Sequence, residues 1–200
     1  MKILVLGSGA REHAIVKALV RTGTAAANVV CAPGNAGIAQ DVTCVALNAN
    51  DPVAVVAYAT TEKFDLAIIG PEAPLVAGVS DALRAAGIPV FGPSQKAAAL
   101  EGSKSFAKEV MAAADVPTGM AHECTTIEEV AAALDDFGAP YVVKADGLAA
   151  GKGVIVTSDR EAALEHARKF IDMGILVEEF LDGQEVSLFF LADGKEVLPL

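Results

Sequence analysis

The sequence predicts an α/β chain, with an N-terminal doubly wound parallel sheet followed by a smaller α+β part. Three observations carry that prediction. Through the first half, short apolar runs alternate with helical stretches, which is the grammar of a parallel sheet. Each of those runs ends in a glycine-bearing loop. After Pro117 the apolar runs come in pairs, as antiparallel strands do.

The elements follow in order. "KILVL" (Lys2–Leu6) is a buried strand that runs straight into a glycine turn, so it is neither a signal-peptide core nor a span. Arg11–Val20 is a helix carrying Ala14, Ile15, Ala18 and Leu19 on one face. Asn28–Cys31 is a second strand, ending in "APGNAG". Asp65–Ile69 is a third, followed by "PEAPLV" and a helix through Arg84–Ala86, and Ile88–Phe91 is a fourth. In such a sheet the loops after the strand carboxyl ends form the ligand edge. Here they are "GSGARE", "APGNAG", "GPEAPL" and "GPSQKA", and together they point to one composite pocket.

Ala97–Ala114 reads as a single helix closed by "DVPTG". Beyond it come strands at Tyr141–Lys144 and Gly153–Thr157, a helix at Arg160–Phe170, and strands at Ile175–Phe180, Val186–Leu191 and Glu196–Leu200. The last two are joined by "ADGK", a hairpin turn. The expected division is 1–103 for the sheet domain, 104–120 for a connector and 121–200 for the α+β part. The final run, "EVLPL", has no closing helix after it, so a longer protein is expected.

Composition narrows the function classes. The net charge of −11 argues against nonspecific binding to nucleic acid or an anionic membrane. Any polyanionic ligand must then be met by local cationic features. Cys31, Cys44 and Cys124 show no CxxC spacing and read as reduced, buried thiols of a cytoplasmic protein.

"LGSGAREHA" (Leu6–Ala14) joins a strand, a glycine turn and a helix start, where unpaired N–H groups and the dipole attract an anion. Glu12 stands where a dinucleotide fingerprint has its third glycine, and "VVCAPG" offers no ribose-binding acid. A single phosphate or a purely structural turn remains, with Arg11 either meeting the phosphate or solvated. In "GPEAPLV", Glu72 sits between two prolines just after a strand; it suits an amine or a ribose hydroxyl, or simply stabilises a helix start. In "EGSKSFAKEV", Lys104 and Lys108 share a helix face, which is either solvated or directed at a phosphate.

"YVVKADGLAAGKGVIV" (Tyr141–Val156) is the most informative stretch. Lys144 ends a β-branched strand, and Gly147, Gly151 and Gly153 surround Lys152. Such glycines let the backbone wrap phosphates. A Walker A loop needs Ser or Thr at position 153, where Gly153 stands, and a strand on each side makes the segment a β-loop-β flap. In "ILVEEFLDGQEVSLFF", Glu178 and Glu179 point to opposite faces, and extended backbone there could read an adenine edge, with Glu185 on a ribose; a solvated hairpin is the alternative.

Taken together, "GSGAREHA", "PGNAG", "GPEAPLVAG", "LEGSK", "VVKADGLAAGKGV" and "VEEFLDGQEVSLF", in that order, resemble the ATP-grasp ligases, and within them the phosphoribosylamine–glycine ligase family. The resemblance covers essentially the whole chain. It implies a Rossmann-like pre-ATP-grasp domain, an ATP-grasp lid subdomain, and a C-terminal part of the fold lying beyond Leu200. It implies ligation of glycine to 5-phosphoribosylamine with ATP and Mg²⁺ or Mn²⁺, the metal ligands also beyond Leu200, and a monomer or weak dimer. Lys104 and Lys144 would contact phosphates as the catalytic cations. Asp146, Gly147, Ala150, Gly151, Lys152 and Gly153 would form the nucleotide loop. Glu178, Glu179, Phe180 and Leu181 would line the adenine pocket, and Glu185 would hold the ribose. Gly9, Arg11, Glu12, Gly34, Asn35, Pro71 and Glu72 would face phosphoribosylamine. The stretch from Phe170 to Val177 is shorter than the family's usual loop.

Overall fold

The computed structural model describes residues 1–149 and 151–200. Its first sheet is built from β1 (Ile3–Gly7), β2 (Val29–Pro33), β3 (Thr43–Cys44), β4 (Leu66–Ile69) and β5 (Val90–Phe91). All neighbours are parallel, in the order β3-β2-β1-β4-β5. Successive side chains of a strand point to opposite faces, so Ile3 and Val5 serve one core and Leu4 and Leu6 another. The first core includes Val16 from α1 (Ala10–Arg21). The second takes Val55 and Ala59 from α2 (Pro52–Thr61), Leu75 from α3 (Glu72–Val76) and Val79 and Leu83 from α4 (Val79–Ala85). The sheet is therefore doubly wound, as expected.

The expected face of α1 is corrected in part: Ile15 and Leu19 pack against the first core, as expected. Its buried residues are Glu12 and Val16, while Ala14 is exposed. A second correction concerns β3 and α2, which the sequence pattern had not yielded. β3 has only two residues in its ladder, and the apolar "PVAVVAYATT" of α2 has no clear helical period. The local signal for α2 is its start: Asp51 accepts from Val53 N and Ala54 N, and Pro52 fills the first turn.

The expected single helix at Ala97–Ala114 is two helices, α5 (Gln95–Gly102) and α6 (Lys104–Ala113). Ser103 between them is extended, and its hydroxyl accepts from Phe106 N as the cap of α6. Gly102 ends α5 and the Ser103 cap starts α6, so the helical pattern is broken without Pro.

The second sheet is antiparallel, in the order β6-β9-β7-β8. Its strands are β6 (Ala121–Cys124), β7 (Tyr141–Ala145), β8 (Val154–Thr157) and β9 (Ile175–Glu178). Val143, Ala145, Ile175 and Val177 pack with α7 (Ile127–Phe137) and α8 (Arg160–Phe170) in one core. The register pairs Lys144 with Leu176 and Val142 with Glu178, so Lys144 and Glu178 share the opposite face. A short turn at Ile171–Met173 leads directly into β9, which ends at Glu178 and not at Phe180. The last two expected strands are shorter than anticipated: β10 (Phe190–Ala192) and β11 (Val197–Pro199) form an antiparallel pair. Asp193 caps their turn by accepting from Lys195 N and Glu196 N. No helix among the described residues is long and apolar enough to cross a membrane.

Candidate functional site: two clefts that share a carboxylate

Order β3-β2-β1-β4-β5 reverses direction between β1 and β4, and a doubly wound sheet opens a crevice at such a point. A cleft of about 690 Å³ lies there, walled by Gly9, Arg11, Glu12, Pro71 and Glu72, with Asn48 and Asn50 from the loop before α2. Five of the expected substrate residues are thus brought together. The two asparagines escaped sequence reading because the strand preceding them is so short.

The cleft has a structural floor. Glu12 is 3% exposed, and its Oε2 accepts from Gly9 N at 2.6 Å. A Cβ at Gly70 would stand 1.9 Å from Glu12 Oε1, and one at Gly7 would stand 2.6 Å from Glu12 Cδ. This carboxylate is wedged between the ends of β1 and β4, which is why glycine closes β1 and follows β4. Gly34 and Asn35 do not line the cleft. Asn35 Oδ1 accepts from Gly37 N and Ile38 N, and its Nδ2 donates to Ser8 O at 2.7 Å, so its amide staples one loop to the next. Gly34 turns with φ +69°, and a Cβ there would meet Cys44 Sγ at 2.4 Å.

Arg11 reaches across the cleft mouth, donating to Gly70 O and to Glu72 Oε1 at 3.1 Å. Glu72 opens α3. A bond from its own backbone N–H, opposed by partial burial and aided by Arg11, holds its carboxyl below the usual range.

The second cleft, about 530 Å³, lies between α5–α6 and the open face of the antiparallel sheet. Lys104, Lys108 and Lys144 converge on it, with Gly147, Gly151, Gly153 and Glu178, and Glu72 again in the wall. Lys104 Nζ donates to Ala145 O and Gly147 O, both at 2.9 Å, so α6 is tied to the base of the flap. Asp146 completes that tie. It accepts from Lys104 N, Ser103 Oγ, Ser105 Oγ and Gly147 N. Burial works to raise the Asp146 pKa, but these hydrogen bonds outweigh it and hold the carboxyl low. Lys144 Nζ donates to Glu178 Oε2 at 2.9 Å.

Lys108 was seen in the sequence only as a neighbour of Lys104. The structure places it in the cleft wall, 3.6 Å from Glu178 Oε2; its i, i+4 spacing from Lys104 was the signal. Glu179 turns away, accepting from Met120 N. Lys152, Phe180, Leu181 and Glu185 are exposed and line neither cleft. The expectation for Ala150 lies outside the described residues. Among those residues no group of three or more His, Cys, Asp or Glu side chains is placed to hold a metal ion.

Residues 1–101 match the family model for the N domain of phosphoribosylglycinamide synthetase, and residues 102–200 match that for its ATP-grasp (A) domain. The chain belongs to the phosphoribosylglycinamide synthetase family. Its whole length aligns with a phosphoribosylamine–glycine ligase of Leifsonia xyli at 63% identity, covering 48% of that protein. The same holds for one of Streptomyces coelicolor at 59%, covering 47%. A crystal structure of phosphoribosylamine–glycine ligase from Thermotoga maritima superposes with a TM-score of 0.80 at 30% identity, over all of this chain and 49% of that one. The chain spans about half the length of the curated relatives it matches. Within the phosphoribosylglycinamide synthetase family fold, both clefts thus fall in the part this chain supplies.

Proposed function

We propose that the protein ligates glycine to 5-phosphoribosylamine at the expense of ATP, giving glycinamide ribonucleotide, ADP and phosphate in purine biosynthesis. The observation that carries this reading is that Glu72 walls both clefts, so a lysine-lined pocket and a switch-point pocket lie side by side. Ligation needs that arrangement, because an activated acyl group made in one pocket must be reached by an amine held in the other.

The chemistry follows from the groups. Glycine's carboxylate is a poor acyl donor. Attack of one of its oxygens on the γ-phosphorus of ATP breaks the bond to the bridging oxygen, releasing ADP and leaving glycyl phosphate. The amine of phosphoribosylamine then attacks the acyl carbon, loses a proton, and expels phosphate as the amide forms. Lys104 and Lys144, with the N–H groups of the Gly147–Gly153 loop, screen the phosphates. Glu72, kept ionised, holds the amine, and Arg11, with the Gly9 turn, meets the sugar phosphate. Glu178, Glu179, Phe180 and Leu181 are proposed around the adenine and Glu185 at the ribose, with Pro71 and the Gly34–Asn35 loop shaping the acceptor pocket. Mg²⁺ or Mn²⁺ would be held by ligands outside the described residues. The proposed division is 1–103, 104–120 and 121–200, in a cytoplasmic monomer or weak dimer.

The test is ADP release by the full-length protein. It should require both glycine and phosphoribosylamine. Release unaffected by phosphoribosylamine would reject the reading, and release supported by bicarbonate in place of glycine would assign a carboxylase instead.

A further inference from the structure

We propose that Lys108 is a fixed counter-ion, which holds Glu178 while Lys144 turns from that carboxylate to the phosphates of a bound nucleoside triphosphate. The proposal rests on the nucleotide reading of the lysine-lined cleft and adds a positioning residue to it. A lysine ammonium has three donors, and the three lysines use them differently. Lys108 Nζ donates to Gly119 O at 2.6 Å and Thr118 Oγ1 at 3.0 Å, and it lies 3.6 Å from Glu178 Oε2. Two donors are fixed on that loop and the charge faces Glu178, so Lys108 is anchored to the loop before β6. Lys104 spends two donors on backbone carbonyls. Lys144, among the described residues, has a single partner, Glu178 Oε2 at 2.9 Å. It is therefore the cation with donors to offer an incoming phosphate.

That movement has a cost which Lys108 offsets. The Glu178 side chain is 11% exposed, and Lys108 is 16% exposed beside it. Taking Lys144 away would strand a largely buried carboxylate, which is strongly unfavourable unless a second cation stays. Glu72 and Glu101 also wall the cleft, and its third cation, Lys104, is tied to Ala145 O and Gly147 O, so Lys108 is the cation already standing beside Glu178. With Lys108 removed, Glu178 must keep Lys144, and the triphosphate loses its cation. A nucleoside without phosphates asks nothing of Lys144 and should not notice the change.

Calorimetric titration of the full-length protein with a β,γ-imido analogue of ATP and, separately, with adenosine tests this. Lys108→Met should weaken the analogue by about tenfold or more and leave adenosine within about twofold. Lys108→Arg should stay within about threefold of the unaltered protein for both. On a Glu178→Gln background, Lys108→Met should cost the analogue less than about threefold, because no carboxylate remains to be held. An unchanged melting temperature certifies the fold, and Lys108→Gln replaces Lys108→Met if the latter does not fold. Equal losses for analogue and adenosine, an undiminished loss on the Glu178→Gln background, or no loss at all would each overturn the proposal while leaving the cleft a nucleotide site. An unaltered protein that binds adenosine but not the analogue would overturn both.

Discussion

At the scale of the residue, the second cleft is a problem in placing charge. Lys144 brings a cation to the end of β7 with its stem on a β-strand, and losing that cation removes charge-assisted bonds worth about 1.5–3 kcal/mol each. Lys144→Ala should accordingly lower triphosphate affinity at least about tenfold and remove turnover, as measured by ADP release. Near-normal turnover would make the lysine structural. Asp146 is the pH-sensitive member of the set. Its carboxyl is held below the ordinary value by the bonds from Ser105, Lys104, Ser103 and Gly147 against the opposing effect of burial. A depressed folded-state pKa means its stabilisation is complete above roughly pH 4 and is lost as acid takes the group through its folded value. Acid titration followed by circular dichroism should show an Asp146→Asn variant less stable at neutrality and with a shallower acid dependence below pH 4. Equal acid slopes for the two proteins would contradict this. Much at this scale was legible: the two lysines and the glycines declared themselves by type and spacing. What a sequence hides is how a polar group is spent. Asn35 staples one loop to the next away from the cleft wall, and Glu12, which walls the cleft, also wedges between the ends of two strands.

At the scale of the element, the β7–β8 flap explains why Gly153 is where a Walker loop would carry Ser or Thr. A Cβ at Gly153 would come within 2.6 Å of the Ala149 Cβ and 3.1 Å of the Ala145 Cβ. Gly153→Ser therefore forces the flap open. We expect a gain in proteolytic cleavage between Gly147 and Gly153 and weaker triphosphate binding, whereas unchanged protease resistance would refute the packing argument. The break at Ser103 is the other decisive element. It turns the start of α6 toward Asp146, and Ser103→Ala should cost about 1 kcal/mol by loss of the cap, seen as a lower melting temperature. Periodicity alone ran α5 and α6 together, because in "EGSKSFAKEV" only Gly102 and the Ser103 cap separate them. The two-residue β3 was invisible for a related reason: it is defined by its pairing with β2, which no local pattern records.

At the scale of the whole molecule, two sheets of different grammar are set so that their ligand edges meet. The parallel sheet offers its switch point, the antiparallel sheet its open face, and Glu72 stands in both walls. The rigidity of that junction depends on Gly70, which cannot carry a side chain beside Glu12. Gly70→Ala should destabilise the N-terminal sheet by about 1–3 kcal/mol, read by denaturant unfolding, as overpacking does. The fold class was readable from the alternation of runs and the glycine-bearing loop after each of the four strands that the sequence predicts. The meeting of the two clefts was not, because it depends on where α5 and α6 carry the second sheet.

The central claim is that the cleft between α6 and the β7–β8 flap takes the phosphates of ATP. An acyl-phosphate derivative of ATP, which transfers its acyl group to a lysine beside the terminal phosphate, tests it directly on the full-length protein. Mass-spectrometric mapping should find Lys144 or Lys104 acylated, with labelling suppressed by excess ATP. Labelling spread over surface lysines such as Lys17, Lys63 and Lys96 and indifferent to ATP would contradict the account.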